Sequence, residues 1–548
     1  MKTFLAIPFL ILALAPGGAA QQKAAAPQTT PTPLPAPAPT PAPTTAPSPA
    51  RPPQEEAHPA HAAAPGEEPK ELRFDMTEVP PVVTHHQIQA GGRTLHYTAT
   101  AGHLPIKDAA GTTEALMFYV AYTLDGASPN ERPLTFAFNG GPGSASLWLH
   151  MGVLGPRKVV LQKEGFLPAA PYRLEDNAST PLDKTDVVVV DAIGTGFSRP
   201  SNAAKGKKFW SVNGDIDSFS EFIRLYITRN ERWSSPLFLL GESYGTTRAA
   251  GISNHLAEAG ISFNGIVLLS TVLNFETLEF NKTNDLPYEL IVPSYAMIAA
   301  YHHKLAPELT RNLDAMRKEV EQWASTDYSL ALAKGDSLAP AERQAVIDRL
   351  ARYTGLTREF LDESNLRVDV RGFTHRLLAD RKLRVGRLDG RFTGPDPLGF
   401  EDTPFYDPTG AVAPAFASVL NDYVRRELGY KTDMPYYVMA RAAWGHAFDW
   451  DWGSASDGFA DTATALRQAM VKNPYLKVLV IEGYYDLATP YYAVNYTMDH
   501  LDLTPEFRKN ISYTTDPAGH MVYLDSQSLV KMKSDLAAFI DANVPKPQ

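Results

Sequence analysis

The stretch "LFLLGESYGTTRAAG", from Leu237 to Gly251, decides the fold. An apolar run that predicts a buried strand stops at Gly241, and Ser243 stands between Gly241 and Gly245. Glycine two positions before and two positions after a serine permits a sharp turn from strand to helix. Such a turn holds the serine hydroxyl at the carboxyl edge of a sheet and directs backbone N–H groups and a helix N-terminus at the same point. The pattern predicts a nucleophilic serine.

Short apolar runs recur before and after this stretch. They are "PLTFAFNGG", "DVVVVDAIG", "GIVLLST", "LKVLVIEG" and "NISYTTD", each rich in β-branched or aromatic residues and ended by a turn signal. Helical patterns such as "DIDSFSEFIRLYITRNER" lie between several of them. Strands that are apolar on both faces and alternate with helices predict a parallel or mixed sheet that helices cover on both sides. Two earlier segments, "GRTLHYTATAG" and "EALMFYVAYTLDG", alternate apolar and polar residues and predict a β-hairpin or meander.

One long interval breaks the alternation of strands and helices. Residues 275–473 carry mostly helical spacing of apolar residues, as in "YAMIAAYHHKLAPELTRNLDAMRKEVEQWA" and "APAFASVLNDYVRRELG". We interpret them as a mostly helical cap inserted above the sheet before the last two strands. The sheet domain is therefore predicted to consist of residues 72–274 and 474–548.

The N-terminal segment differs in composition from the rest of the chain. Residues 1–20 combine one lysine, a short apolar run and small residues, which is typical of a secretory signal peptide. A membrane anchor is the alternative, but the apolar run from Phe4 to Ala15 is shorter than the ~20 residues that span a bilayer. Residues 21–71 are rich in proline, alanine and threonine and predict a disordered, extended linker. We expect an exported protein, periplasmic or extracellular, without a membrane span after signal cleavage.

The composition excludes several classes of protein. Hydrophobic residues make up 44% of the 548 residues, which excludes global disorder. The formal net charge of -10, without a basic run, argues against a nucleic-acid partner. The absence of cysteine excludes thiol nucleophiles, disulfides and thiolate zinc sites. No histidine pair stands in a recognisable metal-ligand spacing with carboxylates, and the sequence indicates no metal and no organic cofactor. The oligomeric state stays open.

A nucleophilic serine needs a base, and the base needs a third group that orients it. After a serine on such a turn, the acid and then the histidine follow along the chain. His520 lies in "DPAGHMVYLD", a predicted loop after the last strand, whereas His61 lies in the linker and His303 on a predicted cap helix. Asp486 lies in "LKVLVIEGYYDLATP", directly after the preceding strand, and a turn-forming or N-cap aspartate is the alternative. Ser243, Asp486 and His520 are the predicted catalytic residues.

An oxyanion hole needs a second donor from the loop after an earlier strand. The stretch "FAFNGGPGSAS" supplies two glycines that permit close backbone approach. We predict that the N–H groups of Gly141 and Tyr244 are the donors, and a generic glycine turn is the alternative. The aromatic stretch "WGHAFDWDW", residues 444–452, has two open interpretations: it lines the substrate cleft, or it packs the cap on the sheet.

Six stretches together resemble the serine carboxypeptidase family of α/β-hydrolases. They are "FNGGPGSAS", "LGP" at 154–156, "DAIGTGFS" at 191–198, "GESYG" at 241–245, "EGYYD" at 482–486 and "GHMV" at 519–522. The resemblance implies an α/β-hydrolase fold: a mixed, mostly parallel central sheet, flanking helices and a largely helical cap insertion. Because the chain lacks the cysteines that form disulfides in eukaryotic members, it is similar to a bacterial-type member.

The resemblance also implies a reaction and a substrate. Members hydrolyse the last peptide bond of a chain through an acyl-enzyme, so peptide or protein C-termini are the expected partners. The predicted triad and oxyanion donors match theirs. Asn139, Gly140 and Glu242 match residues that bind the terminal carboxylate of the substrate. A neutral Glu242 would donate a hydrogen bond to that carboxylate, which favours acidic pH.

The sequence departs from the family at two other positions. Val153 stands where members carry a second glutamate, and Ser144 replaces their cysteine. Without the second glutamate, Glu242 lacks a like-charged partner that would raise its pKa. His150 or Arg157 is a candidate for a cation in its place, and a plain surface position is the alternative for either residue.

Three functions are compatible with these observations. The leading hypothesis is an exported serine carboxypeptidase. An esterase or acyltransferase is the alternative, because the same acyl-enzyme serves both reactions and Val153 weakens the carboxylate site. A non-catalytic envelope protein with a hydrolase fold is the third, and an intact triad argues against it.

Overall fold

The structure is a computed structural model that describes residues 73–396, 407–453 and 458–544, with the side chain of His446 excepted. The signal peptide predicted for residues 1–20 and the linker predicted for residues 21–71 lie outside the described residues. Among the residues described, no helix combines the length and the apolar character needed to cross a membrane.

Fourteen strands occur in the described residues, and ten of them form one sheet. In chain order the strands are β1 (Val82–Ala90), β2 (Arg93–Lys107), β3 (Thr113–Leu124), β4 (Leu134–Phe138), β5 (Arg157–Val159), β6 (Leu174–Asp176), β7 (Asp186–Val190), β8 (Arg199–Pro200), β9 (Leu237–Glu242), β10 (Gly265–Leu269), β11 (Leu383–Val385), β12 (Thr393–Pro395), β13 (Lys477–Gly483) and β14 (Ile511–Asp516). The sheet has the order β1-β2-β3-β7-β4-β9-β10-β13-β14, and β8 pairs with β3. The pairs β5–β6 and β11–β12 are separate and antiparallel.

The sheet is mixed, as predicted. Strands β1, β2 and β3 pair antiparallel, which confirms the expected meander. From β7 through β4, β9, β10 and β13 to β14, every neighbouring pair is parallel. All residues of β4, β7, β9 and β10 are buried, as expected for strands that helices cover on both faces.

Helices lie on both faces of the sheet and in the cap. The α-helices of the described residues are α1 (Leu147–Leu149), α2 (Ala203–Phe209), α3 (Val212–Arg229), α4 (Tyr244–Glu258), α5 (Leu286–Leu290), α6 (Val292–Tyr301), α7 (Pro307–Thr310), α8 (Leu313–Trp323), α9 (Ser329–Lys334), α10 (Pro340–Thr354), α11 (Arg358–Glu363), α12 (Val370–Arg376), α13 (Ala413–Arg426), α14 (Ala440–Trp444), α15 (Ala463–Lys472), α16 (Tyr491–Asp499), α17 (Pro505–Arg508) and α18 (Ser526–Asn543). Short 3₁₀ turns occupy Lys163–Gly165, Pro181–Asp183, Phe275–Leu278, Gly335–Ser337, Ala379–Arg381, Pro408–Val412, Gly445–Ala447 and Val522–Leu524, and π-helical turns occupy His150–Leu154 and Ala324–Tyr328.

Consecutive residues of one strand point to opposite faces of the sheet and belong to different hydrophobic cores. Leu239 of β9 and Ile266 of β10 belong to the core formed with α3, α4 and α15. Leu240 and Val267, one position further along each strand, belong to the core on the other face, formed with α13 and α18. This alternation places the parallel strands between two layers of helices, and the predicted α/β-hydrolase fold is confirmed.

The chain between β10 and β13 is mostly helical in its described part, and we call it the cap. Helices α6, α8 and α10 share a separate apolar core, which Tyr485 and Leu487 after β13 also join. Helix α13 instead packs on the sheet, because Phe416 and Leu420 contribute to the core shared with α18. One part of the cap therefore carries its own core, and another part extends the core of the sheet.

Candidate functional site

Ser243 occupies the sharp turn between β9 and α4. Its φ is 59° and its ψ is -131°, outside the regions that residues with a side chain adopt without strain. A Cβ on Gly241 would lie 2.1 Å from the carbonyl oxygen of Gly245, and one on Gly245 would lie 2.8 Å from that of Phe138. Both glycines are therefore required by the close approach of the backbones. The N–H of Ser243 donates to the carbonyl oxygen of Leu269 at 2.9 Å.

Asp486 and His520 are joined by a hydrogen bond of 2.7 Å from Nδ1 of the ring to Oδ2 of the carboxylate. Asp486 follows β13 and His520 follows β14, and both side chains are buried. Three further donors hold the carboxylate: the N–H groups of Ala488 at 2.7 Å and Thr489 at 3.0 Å, and the Thr489 hydroxyl at 2.6 Å. A carboxylate at Nδ1 keeps the ring proton there and leaves Nε2 as an acceptor.

The surroundings of His520 favour its protonated form. Burial of the ring opposes the charge, but the Asp486 carboxylate, its hydrogen bond and the nearby Glu242 outweigh burial and raise the pKa of His520. Arg387 of the cap acts in the opposite direction. The carboxylates therefore stabilise the imidazolium cation that forms when the ring of His520 takes up a proton.

The three predicted catalytic residues follow strands that are close in the sheet. Strands β9, β10, β13 and β14 are consecutive and parallel, so their carboxyl ends lie at one edge. Ser270, directly after β10, donates from its hydroxyl to the carbonyl oxygen of His520 at 2.5 Å. This bond ties the histidine loop to the strand next to β9. The sheet thus brings Ser243, Asp486 and His520 to the same edge.

The glycine loop after β4 lies against the start of α4. A Cβ on Gly140 would lie 2.4 Å from the backbone nitrogen atoms of both Tyr244 and Gly245. Gly141 has a φ of 105°, a conformation that glycine adopts without strain. Tyr244 is the first residue of α4, so the helix offers no acceptor for its N–H. The two predicted oxyanion donors lie on segments in direct contact.

A buried ion pair, not predicted from the sequence, supports the glycine loop. Arg248 of α4 donates from Nη1 to the carbonyl oxygen of Asn139 at 2.7 Å. Its Nε and Nη2 donate to the two carboxylate oxygens of Asp215 on α3, at 2.7 and 3.1 Å. Both side chains are buried, and the guanidinium lies 4.2 Å from the ring centroid of Phe219. The signal in the sequence is an arginine amid the small and apolar residues of "TTRAAGI".

Glu242 is a buried carboxyl group next to Ser243. Its Oε2 accepts a hydrogen bond of 2.8 Å from the hydroxyl of Tyr523. Burial raises the pKa of Glu242 to about 7, against the lowering effects of the His520 charge and of hydrogen bonds from Tyr523 and Asn139. The carboxyl group is therefore partly protonated near neutral pH.

The three predicted substrate-binding residues lie on neighbouring strand ends. Asn139 and Gly140 follow β4 directly, and Glu242 is the last residue of β9, which pairs with β4. Leu149 fixes the amide of Asn139, because its N–H donates to Oδ1 at 3.0 Å. The carboxyl and amide groups are thus held beside the serine.

The chain matches known proteins over part of its length. Residues 91–332 match the sequence model of the serine carboxypeptidase family. The chain is similar to that family over less than half of its length. Two curated relatives come from Arabidopsis thaliana: serine carboxypeptidase-like 9 is 20% identical over 220 residues, and serine carboxypeptidase-like 8 is 25% identical over 172 residues. These matches cover 38% and 30% of this chain and 48% and 38% of the relatives. The chain spans less than half the length of the curated relatives it matches.

Solved structures similar to this chain include a peptidase and two esterases. A proline iminopeptidase from Mycobacterium smegmatis aligns with 16% identity and a TM-score of 0.34, over 81% of this chain and 98% of that chain. A thermostable carboxyl esterase from Bacillus coagulans aligns with 13% identity and a TM-score of 0.35, over 81% and 99%. Esterase E22 aligns with 13% identity and a TM-score of 0.35, over 81% and 99%.

The position predicted to correspond to the second glutamate of the serine carboxypeptidase family lies inside an apolar core. Val153 lies in the π-helical turn His150–Leu154 and is fully buried among apolar side chains. Tyr523 instead reaches Glu242, and its ring lies against Gly152, where a Cβ would be 2.4 Å from Cε2. Tyr523 was not predicted from the sequence, although it stands directly after the family stretch "GHMV".

The two candidate cations have other surroundings. Burial lowers the pKa of His150 to about 3, so the ring is neutral near pH 7. Its Nε2 is paired with the hydroxyl of Tyr122 at 2.6 Å. The expectation that His150 supplies a cation is therefore wrong. Arg157 forms ion pairs with Asp176 and Glu427, which neutralise its charge.

The aromatic stretch 444–452 contacts both segments that carry the predicted oxyanion donors. The ring of Trp450 lies edge to face with that of Tyr244, with 5.2 Å between the centroids. Phe448 lies against Gly143 of the glycine loop, where a Cβ would be 2.5 Å from Cζ. The stretch therefore packs the cap on the sheet domain next to the site.

Proposed function

We propose that the chain is an exported serine carboxypeptidase that removes C-terminal residues from peptides or proteins. The proposal is carried by the 2.7 Å bond between His520 Nδ1 and Asp486 Oδ2, at the sheet edge where Ser243 occupies its strained turn. The bond leaves Nε2 of His520 available as the base for the serine. The family match over residues 91–332 supports a serine hydrolase. The composition of residues 1–20 supports export.

Acylation begins when Oγ of Ser243 attacks the carbonyl carbon of the last peptide bond while Nε2 of His520 takes the hydroxyl proton. Negative charge develops on the carbonyl oxygen, and the N–H groups of Gly141 and Tyr244 stabilise it. The C–N bond then breaks, and the imidazolium gives its proton to the leaving amine, which departs as the free C-terminal residue. Asp486 stays ionised and stabilises the imidazolium throughout.

Deacylation uses one water molecule. His520 takes a proton from the water while the water oxygen attacks the acyl carbon. The ester bond to Ser243 breaks, and the proton returns to Oγ. Each cycle therefore consumes one water and restores the free serine.

The preference for a free C-terminus is proposed to come from Asn139, Gly140 and Glu242. A neutral Glu242 donates a hydrogen bond to the terminal carboxylate, and the Asn139 amide and the Gly140 backbone provide further donors. With a pKa of about 7, Glu242 keeps its proton in acid and loses it gradually near neutral pH. We therefore expect carboxylate binding from acidic to neutral pH, weakening above it.

An esterase or acyltransferase is the second candidate, and one observation favours it. Val153, buried among apolar side chains, removes the acidic group that family members place beside the first glutamate. The acyl-enzyme on Ser243 would be the same in both cases. Only the group that leaves and the group that takes up the acyl chain would differ.

Incubation of the purified protein with N-terminally blocked peptides, followed by mass spectrometry, separates the candidates. Stepwise shortening from the C-terminus supports the carboxypeptidase, and cleavage of esters with peptides left intact supports the second candidate. Ser243→Ala is the control, expected to lack both activities and labelling by a fluorophosphonate. A wild-type protein that neither turns over substrate nor labels at Ser243 would indicate a non-catalytic envelope protein.

A further inference from the structure

A short segment of the cap is bonded to both loops that carry the proposed acid and base. We call residues 386–391 the clamp segment. Three backbone hydrogen bonds make the connection: Leu487 N–H to the Arg387 carbonyl at 3.0 Å, His520 N–H to the Leu388 carbonyl at 2.6 Å, and Gly390 N–H to the Tyr485 carbonyl at 2.9 Å. Residues on both sides of Asp486, and His520 itself, are therefore bonded to the cap.

The side chain of Arg391 also contacts both loops. Its Nη1 donates to the carbonyl oxygen of Pro517 at 3.1 Å, in the loop that carries His520. The guanidinium lies 5.3 Å from the ring centroid of Tyr485, the residue before Asp486, within the range of a cation–π contact. One side chain thus spans the acid loop and the histidine loop.

Asp389 holds the guanidinium of Arg391 in this position. Its carboxylate accepts from Nη2 at 2.7 Å, and from Nε and the backbone N–H of Arg391 at 3.0 Å each. Both residues are buried, with 2% and 5% of their surface exposed, so solvent screens the pair little. Asp389 also abuts Gly519, where a Cβ would lie 2.4 Å from Cβ of Asp389. Rotation of either side chain would break several of these contacts together.

A second carboxylate fixes the backbone of the clamp segment. Oδ2 of Asp407 accepts hydrogen bonds from the N–H groups of Arg387 at 3.2 Å and Leu388 at 3.0 Å. These are the two residues whose carbonyl oxygens accept from the acid loop and from His520. Asp407 therefore orients the peptide groups that hold both loops.

We propose that Arg391 is a positioning residue, which holds the loops of Asp486 and His520 at the separation that their hydrogen bond needs. The inference rests on the triad of the proposed function. The sheet fixes the ends of β13 at Gly483 and of β14 at Asp516, but both functional side chains lie beyond these ends in loops. The clamp segment of the cap therefore fixes the two loops that extend beyond the sheet. A displacement of the reacting groups by ~1 Å costs about 100-fold in rate.

The test is Arg391→Lys, which keeps the positive charge and removes the planar fork of donors. The matched control is Arg367→Lys, because Arg367 forms an equivalent forked pair with Asp285, at 2.6 and 2.8 Å, elsewhere in the cap. In Arg391→Lys we expect kcat to fall about 100-fold for peptides and for esters alike, with KM little changed. In Arg367→Lys we expect kcat close to that of the wild type.

Two further measurements distinguish a loss of positioning in Arg391→Lys from a general loss of stability. If the Asp486–His520 bond weakens, the pKa of His520 falls toward its ordinary value, and the acid limb of kcat/KM moves to lower pH. The other charged groups that act on the ring, Glu242 and Arg387, are unchanged in the variant. The proton on Nδ1, observed by NMR of histidine-labelled protein, should lose its downfield position, and this readout needs no turnover.

Wild-type values of kcat, of the acid limb and of the Nδ1 proton shift in Arg391→Lys would overturn the inference, as would equal changes in Arg367→Lys. If Arg391→Lys does not fold, Asp389→Asn takes its place, because it weakens the hold on the guanidinium of Arg391; the same three outcomes then decide. Absence of fluorophosphonate labelling in the wild type would count against the proposed function alone, and the NMR comparison would still decide the role of Arg391.

Discussion

The hydroxyl of Tyr523 lies 2.8 Å from Oε2 of Glu242, so a buried phenol donates to the buried carboxyl group next to Ser243. A donor to a carboxylate stabilises its ionised form and lowers its pKa, whereas burial stabilises the neutral form and raises it. The pKa of Glu242, about 7, results from these opposing effects, in which burial is the larger. This pair therefore couples the proposed carboxylate site to pH.

Tyr523→Phe keeps the ring against Gly152 and removes the donor to Glu242. The pKa of Glu242 should then rise, because its ionised form has lost a hydrogen bond, by about one pH unit for a bond to a charged group. KM for a peptide with a free C-terminus rises as Glu242 loses its proton, so this rise should move to higher pH in the variant. KM measured from pH 5 to 9 tests the shift.

The control for Tyr523→Phe is an ester substrate without a carboxylate. Its KM should not follow the titration of Glu242 in either protein. An identical KM profile for the peptide in both proteins would show that Tyr523 does not govern Glu242.

Glu242→Gln should change stability in a pH-dependent way. The folded protein holds the Glu242 proton more tightly than the unfolded chain, with a pKa of about 7 against 4.5, so wild-type stability falls as pH rises through this window. The full difference corresponds to about 3 kcal/mol above pH 7. Glutamine cannot ionise, so the variant should be more stable than the wild type at pH 8 and equal to it at pH 4. Urea unfolding at both pH values measures this, and an equal difference at both would contradict it.

The sequence predicted those strands whose local pattern of apolar residues and turn signals determines their position in the fold. β9 and β13 are buried apolar runs that end in turn signals, whereas β14, predicted to be another, is an edge strand with one buried residue. The chain order of serine, acid and histidine put Ser243, Asp486 and His520 after these three strands. The contact of Tyr523 with Glu242 was beyond this reasoning, because it depends on Gly152 leaving room for a ring from a distant part of the chain.

The cap shows the same limit of sequence patterns. The spacing of apolar residues in α13 indicates that one face of the helix is buried, but not whether the sheet or the cap helices cover it. In the structure Phe416 joins the core of the sheet. The clamp segment has no periodic pattern, and its role depends on backbone groups that any residue possesses.

Asp486→Asn should abolish most of the activity while the fold is kept. An amide at this position no longer requires the proton of His520 on Nδ1, so the ring loses the tautomer that accepts a proton from Ser243. We expect kcat to fall about 10⁴-fold with an unchanged circular dichroism spectrum. Near-wild-type turnover would mean that another carboxylate orients the histidine.

Arg248→Leu should destabilise the protein more than the loss of an exposed ion pair. It leaves Asp215 buried without its partner and removes the donor to the Asn139 carbonyl, at an expected cost of about 3–5 kcal/mol. Arg224→Leu is the control, because Arg224 and Glu221 are 44% and 35% exposed and such pairs contribute less than ~1 kcal/mol. Denaturant unfolding compares the two variants, and equal losses would contradict the supporting role of Arg248.

Gly140→Ala should reduce catalysis by separating the predicted oxyanion donors. The new Cβ would lie 2.4 Å from the backbone nitrogen of Tyr244, so the glycine loop or the start of α4 must move. Loss of one oxyanion donor lowers kcat about 10²–10³-fold, and we expect an effect of this size on kcat for an ester without a carboxylate, with its KM little changed. Gly410→Ala is the control, because a Cβ there would meet no atom of the described residues within 4 Å. The rate of fluorophosphonate labelling at Ser243 measures the effect without a substrate choice, and a wild-type rate in Gly140→Ala would place the oxyanion donors elsewhere.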